Sequence, residues 1–263
     1  MKYSLSSRQP AEYLKKADEI TVEYRDHKII PDLAEKYPNA RINLRLPYNQ
    51  EVEIDWKEIN TNYSLCHKNM IIGVVDDASR RAAHEIGADT YHRAPIHTFQ
   101  ELQDMRTAGM AEVILGSPLF FQLDKIQRYF PTLKIRAVAN VALLEGSMTY
   151  NNGVCGTWIR PEDVPLYEQY GVDVIEFFGD LTPCQALYRI YAEQKKWPGD
   201  INMIIQDLDH PAVNRMIPPT LAEARISCGQ KCMENGICHL CQRTLDLANP
   251  DMWKNYLDTM ENS

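Results

Sequence analysis

The strongest constraint in this sequence is an alternation: short apolar runs recur along its 263 residues, with polar, helix-forming stretches between them. The runs fall at residues 19–24, 41–46, 70–75, 89–92, 112–115, 134–140, 173–178 and 201–205. Helices are predicted between them at 29–37, 56–68, 78–86, 98–108, 121–130, 161–170 and 183–195. Short runs rich in Val and Ile, separated by helices, read as buried strands of a parallel sheet, because parallel neighbours need a long crossover connection. An internal echo marks the joints. Gly87-Ala-Asp and Gly171-Val-Asp each lead from a helix end into a run, with Lys16-Ala-Asp and Gly109-Met-Ala-Glu as relatives. Glycine at such a joint supplies the left-handed residue that closes a helix. Eight units of this kind predict closure into a (β/α)8 barrel. The competing open, doubly wound sheet would carry Gly-x-Gly-x-x-Gly after its first strand, and that fingerprint is missing.

The sharpest chemical signal comes near the C-terminus, where Cys228, Cys232, Cys238 and Cys241 form a C-x3-C-x5-C-x2-C array. Thiolates this close in sequence can converge on one soft centre, a zinc ion or a [4Fe–4S] cluster. The domain reading is therefore a barrel body over residues 1–217 and a cysteine-rich, metal-binding extension over 218–263 packed on it. Seven cysteines, four of them bunched, with no apolar leader, point to a reducing, cytoplasmic setting, where bunched thiols hold metal more often than they form disulfides. No apolar run is long enough to span a bilayer. A formal charge of -8 argues against non-specific nucleic-acid binding, which needs clustered Lys and Arg to displace counterions. The expected partner is a small-molecule or macromolecular substrate, with a homo-oligomer left open.

In a barrel, function belongs at the C-terminal ends of the strands. Arg45 and Glu176 stand out there, because each lies inside an apolar run, and a charge facing a barrel interior is costly unless it is paired or used. With His92 and Asp207, at the ends of their own runs, they make up the predicted catalytic set of Arg45, His92, Glu176 and Asp207. Asp76 or Asp77 reads as the N-cap of the next helix. His97, Asp209 and His210 add donors for a second, barrel-held metal, but no His-x-His or Glu-x-x-His spacing aligns two of them. Loops 178–183 and 206–211 lack the glycine-rich phosphate grip, so a phosphorylated substrate is not indicated. Residues 142–158 suit a flap, and Cys155 within them is either a nucleophile or a small buried residue.

The Ala17-Asp-Glu-Ile and Gly87-Ala-Asp turns, the barrel-like repeat and the four cysteines together resemble the collagenase-like peptidase family. That resemblance implies an α/β barrel, an iron–sulfur cluster and a proteolytic or nucleic-acid-modifying activity. Two readings follow. One is a metal-containing barrel enzyme, its cysteine loop taking part in redox chemistry or holding a lid. The other is a non-catalytic barrel, a binding or assembly subunit with a structural zinc. Which face the cysteines occupy depends on whether the helix predicted at 220–226 is the eighth outer helix.

Overall fold

The computed structural model describes residues 1–48, 51–140, 156–177, 185–205, 212–229, 240–251 and 254. Its strands are β1 (Lys2–Ser6), β2 (Glu19–Glu23), β3 (Arg41–Arg45), β4 (Met70–Val74), β5 (Asp89–Ile96), β6 (Glu112–Leu115), β7 (Lys134–Val138) and β8 (Val172–Glu176). Each pairs in parallel with the next, and β8 returns to β1, so the sheet is a closed barrel. The helices are α1 (Ala11–Leu14), α2 (Ile30–Lys36), α3 (Trp56–Leu65), α4 (Asp77–Glu85), α5 (Phe99–Thr107), α6 (Ser117–Phe120), α7 (Leu123–Tyr129), α8 (Val164–Gln169) and α9 (Gln185–Ala192). After the barrel come α10 (Thr220–Ser227) and α11 (Leu240–Leu247). Among the described residues no helix is long and apolar enough to cross a membrane.

The architecture is the expected one, but its frame is shifted by one strand. Lys2–Ser6 opens the barrel, and residues 201–205, expected as the eighth strand, do not form one: Ile201–Met203 is a 3-10 turn. The spacing explains both. Ile201, Ile204 and Ile205 are buried while Met203 is exposed, an i, i+3, i+4 pattern that fits a helical turn. In Lys2–Ser6 only Tyr3 and Leu5 are apolar, and they face the helices while Ser4 faces the barrel. The eighth unit therefore ends with α9, and the residues beyond Ala192 are additional to the barrel.

Local chemistry sets the joints. Asp76 caps α4, its Oδ1 accepting from the Ser79 N–H at 2.7 Å. Thr98 and Glu101 form a capping box on α5. Gly87 and Gly171 take φ of +79° and +84°, the left-handed turn that a side chain would disfavour.

Two arginine clamps fix the added segment to the barrel. Arg160 grips Asp163 at 2.6 and 2.8 Å and donates to the Ile217 carbonyl at 3.0 Å. Arg225, on α10, donates to the carbonyls of Trp158 (3.0 Å) and Gly156, with its guanidinium over the rings of Trp158 and Phe121. Helix α10 packs against α7, α8 and α11.

Candidate functional site

Strand alternation puts every second residue inside the barrel. On β2 the inward set is Glu19, Thr21 and Glu23, and on β3 it is Arg41, Asn43 and Arg45. Ile20, Val22, Ile42 and Leu44 point out to the helices and join the main core. The interior is therefore largely polar, apart from a small apolar cluster of Ile71, Tyr91 and Ile114, and its charges are matched across strands far apart in sequence. Arg136 of β7 reaches Glu19 at 2.6 Å, Glu112 at 2.8 Å and Glu176 at 3.2 Å. Arg41 ties Glu19 and Glu112 together from below, at 2.6 Å each. Above them Arg45 joins Glu176 and, at 3.2 Å, Glu23, while Arg93 lies 3.8 Å from Glu23. Four guanidiniums thus face four carboxylates, which is how a barrel interior can hold charge without unpaired ions.

The arginines set the ionisation of this layer. Burial alone would raise the Glu19 carboxyl, but Arg136 and then Arg41 override it and hold it down at about 2. Burial likewise opposes the charge on Arg45 and Arg136. The facing carboxylates outweigh it, Glu23 at Arg45 and Glu19 at Arg136, so both guanidiniums are raised further. Tyr91 binds the two polar layers together, donating from its hydroxyl to Asn43 Oδ1 at 3.1 Å beneath the Arg136 guanidinium, 4.6 Å from the ring. Gly73 makes room for that ring. A Cβ there would stand 2.8 Å from the Tyr91 Cζ and hydroxyl. Gly73→Ala is accordingly expected to cost about 1–3 kcal/mol by overpacking, read as a lower midpoint in urea unfolding.

The top of the network opens into a cavity of about 590 Å3 at the C-terminal ends of β1, β2, β3 and β8. Arg45 and Glu176 form its floor, and Glu23, Arg8, Arg25 and Asp26 its charged wall. Glu176 is almost fully buried, with one oxygen on Arg45 and the other on Arg136. Glu23 differs: its side chain is 38% exposed while Arg45 holds it from behind. Arg8 and Asp26 pair at the rim at 2.8 Å. His27 is fixed behind the wall, its ring nitrogens 2.5 Å from the Tyr24 carbonyl and 2.8 Å from Glu58.

Of the predicted set, the structure brings Arg45 and Glu176 into direct contact at this floor. His92 is not brought to them. Alternation puts it with Thr90 on the outward face of β5, Thr90 being bonded to His84 of α4, whereas Tyr91 and Arg93 point inward. Asp207, Asp209, His210 and residues 142–155 of the expected flap, Cys155 among them, lie outside the described residues; the last flap residues, Thr157 and Trp158, are buried under Arg225, and the run of 201–205 that was to present Asp207 is not a strand. Glu23, Arg93 and Arg136 carry the site equally. Their signal in the sequence was the same one that marked Arg45, a charge at an inward position of a short strand.

The cysteines begin on the same side of the barrel. Cys228 caps the C-terminus of α10, and the N–H of the next residue, Gly229, donates to the Phe121 carbonyl at 2.7 Å, just before α7 on the C-terminal side of β6. Cys241 lies in the first turn of α11, which packs on α10. Cys232 and Cys238 lie outside the described residues, among which no three potential ligands gather to hold a metal ion.

Fold and site together define a (β/α)8 barrel protein with a charged cavity at its C-terminal mouth. No protein-family model matches the chain, and no curated protein matches it. Among solved structures it is similar to an orotidine 5'-monophosphate decarboxylase from Sulfolobus solfataricus, at 12% identity over 73% of this chain and 98% of that one, TM-score 0.41. A native KDPGal structure aligns at 13% identity over 73% and 88%, TM-score 0.44. An orotidine 5'-phosphate decarboxylase from Pyrococcus horikoshii OT3 aligns at 14% over 73% and 98%, TM-score 0.42. At these identities no residue or activity carries over.

Proposed function

We propose that this protein is an enzyme acting on a small carboxylate at the mouth cavity, with Glu23 as the acid–base group and Arg45 as the cation beneath it. The observation that carries the reading is the contrast between the two glutamates: Glu176 is saturated by guanidiniums, while Glu23 is held by Arg45 and still open to the cavity. A carboxylate so placed can exchange a proton with a ligand without leaving its partner. The cavity is lined by three guanidiniums, Arg8, Arg25 and Arg45, and three carboxylates, Glu23, Asp26 and Glu176. At the exposed rim, however, Arg8 and Arg25 share the single carboxylate of Asp26, and in a chain of net charge -8 that local positive charge favours an anion. The absence of glycine-rich phosphate loops makes a carboxylate the simpler choice. The resemblance to collagenase-like peptidases would make that carboxylate part of a peptide.

The test uses propionate as probe, observed by saturation-transfer NMR. Binding is expected to the unmodified protein and to weaken about tenfold in Arg8→Gln, a loss typical of one charge-assisted hydrogen bond. Propionate binding that ignores Arg8 would sink the reading.

The same reading gives the four cysteines a metal, either a [4Fe–4S] cluster or zinc. Supporting it, two packed helices carry Cys228 and Cys241, the two ends of the run, and Gly229 ties that end to the C-terminal side of the barrel. A cluster would supply redox chemistry and a zinc ion folding energy. Anaerobic purification distinguishes them. A brown protein absorbing at about 400 nm that bleaches on reduction is the result expected for the cluster. Colourless protein with one tightly held zinc would move the metal to a structural role, and protein with neither would remove it.

A further inference from the structure

We infer that His27 is the positioning residue of the anion rim, held as a doubly protonated imidazolium between the Tyr24 carbonyl and the Glu58 carboxylate. The inference rests on the carboxylate reading of the cavity and makes that binding depend on the charge of one ring.

His27 is buried and lines the cavity beside Arg25 and Asp26. Its Nδ1 lies 2.5 Å from the Tyr24 carbonyl oxygen and its Nε2 lies 2.8 Å from Glu58 Oε2. A carbonyl and an ionised carboxylate only accept, so each ring nitrogen has to donate. A neutral imidazole has one N–H and would turn a lone pair toward one of the two oxygens. The charged ring satisfies both. The Tyr24 ring stacks on His27 at 4.7 Å with the planes 6° apart, which also favours a cation.

The surrounding charges leave Glu58 as the partner. The elements packed on this turn include β2, β3 and α2. Glu23 of β2 and Arg45 of β3 pair with each other, and Asp32, Glu35 and Lys36 of α2 are exposed. Arg25 lies 3.9 Å from Asp26 within the turn itself, and Lys28 is exposed. From α3, Lys57 is exposed and Glu58 meets the ring.

The same turn carries the rim. Tyr24–Ile29 forms a 3-10 turn, in which Arg25 and Asp26 stand between Tyr24 and His27. The ring bonds back to Tyr24 and across to α3, and so fixes that stretch at both ends. Asp26 in turn holds Arg8 at 2.8 Å. Loss of one proton breaks one of the two ties and removes a positive charge from the cavity wall. Histidine changes charge between about pH 5 and 8. The site should therefore bind its anion best at the acid end of that window and lose affinity as pH rises through it.

Propionate titrations across the window, with the His27 ring nitrogens followed by NMR, test this. Affinity is expected to fall about fivefold or more over the interval in which the ring loses its second proton. Saturating propionate should move the ring's titration to higher pH, because the coupling is reciprocal. In Glu58→Gln the amide can donate or accept and serves a neutral ring equally well, so both titrations should move to lower pH together. A contact that served folding alone would lower the stability of Glu58→Gln and leave both titrations in place, which would overturn the inference. A ring that carries a single proton even at the acid end would also overturn it. Propionate that binds equally at every pH would do the same while leaving the carboxylate reading intact. Absence of propionate binding at every pH would instead sink that reading, and the ring's response to Glu58→Gln would still decide whether the two oxygens hold it charged.

Discussion

Arg136→Met is expected to destabilise the barrel by at least about 3–5 kcal/mol and to weaken its response to acid. Arg136 is fully buried and touches three carboxylates, so its removal leaves Glu19, Glu112 and Glu176 in a low-dielectric interior with fewer cations than charges. In the unmodified protein the Glu19 carboxyl is held at about 2, below its ordinary 4.5. A depressed carboxyl stabilises the fold above its unfolded value, and that stability is lost as pH falls from about 4.5 through about 2. The contribution is roughly 3.5 kcal/mol, at about 1.4 kcal/mol per unit. Without Arg136, burial is opposed by Arg41 and a hydroxyl hydrogen bond alone, and the carboxyl rises. Its contribution to stability at neutral pH then shrinks, and less is lost in acid. Urea unfolding at pH 4 and pH 7 measures this. The unmodified protein should be the more stable at pH 7 and the variant relatively favoured at pH 4. Adding Glu19→Gln to Arg136→Met should restore part of the loss, because one buried charge leaves with its partner. Equal losses at both pH values would show that the network does not set the acid response.

The second large effect is expected from Arg225→Leu. The Arg225 guanidinium lies 4.0 Å from the centre of the Trp158 ring and 5.0 Å from that of Phe121, and it satisfies two buried carbonyls. Leucine would keep some of the packing but strand both carbonyls, at about 1–3 kcal/mol each, and remove the cation–ring contacts. Because α10 packs on α7 and α8 rather than within the sheet, the loss should fall on the C-terminal segment and spare the barrel. Limited proteolysis should therefore cut the variant within residues 212–229 and leave a resistant fragment ending near α9. Cys228 ends the same helix, so any metal held by the cysteine run should also be lost more readily to a chelator. Global unfolding with no resistant fragment would mean that the added segment and the barrel form one cooperative unit.

Much of the fold was legible because a parallel strand covered by helices has an apolar outward face, and six of the eight runs show it; the run 89–92 turns Thr90 and His92 outward, and 201–205 is not a strand. The shift by one strand has a physical cause. Lys2–Ser6 contributes only Tyr3 and Leu5 to the core, a signal too thin to register, whereas residues 201–205 are apolar enough to imitate a strand while following a helical spacing. Arg45 and Glu176 were legible as charges inside apolar runs. His92 was misjudged as a partner for them because adjacent strand residues face opposite ways, and it is Arg93, one step on, that turns inward.

By itself the sequence determined an α/β barrel of eight parallel units, the glycine and aspartate turns between them, and a bunched set of cysteines. These depend on local pattern: period, caps and spacing. The tertiary structure alone decided which runs close the sheet and which charges meet inside it. Arg45 finds Glu176 across 131 residues, and Arg136 finds Glu19 across 117. Those pairings exist because closure brings β8 back to β1 and turns the charge-bearing faces of β2, β3, β5, β6, β7 and β8 to the interior. No local pattern carries that information, since the same alternation fits either face until the barrel closes.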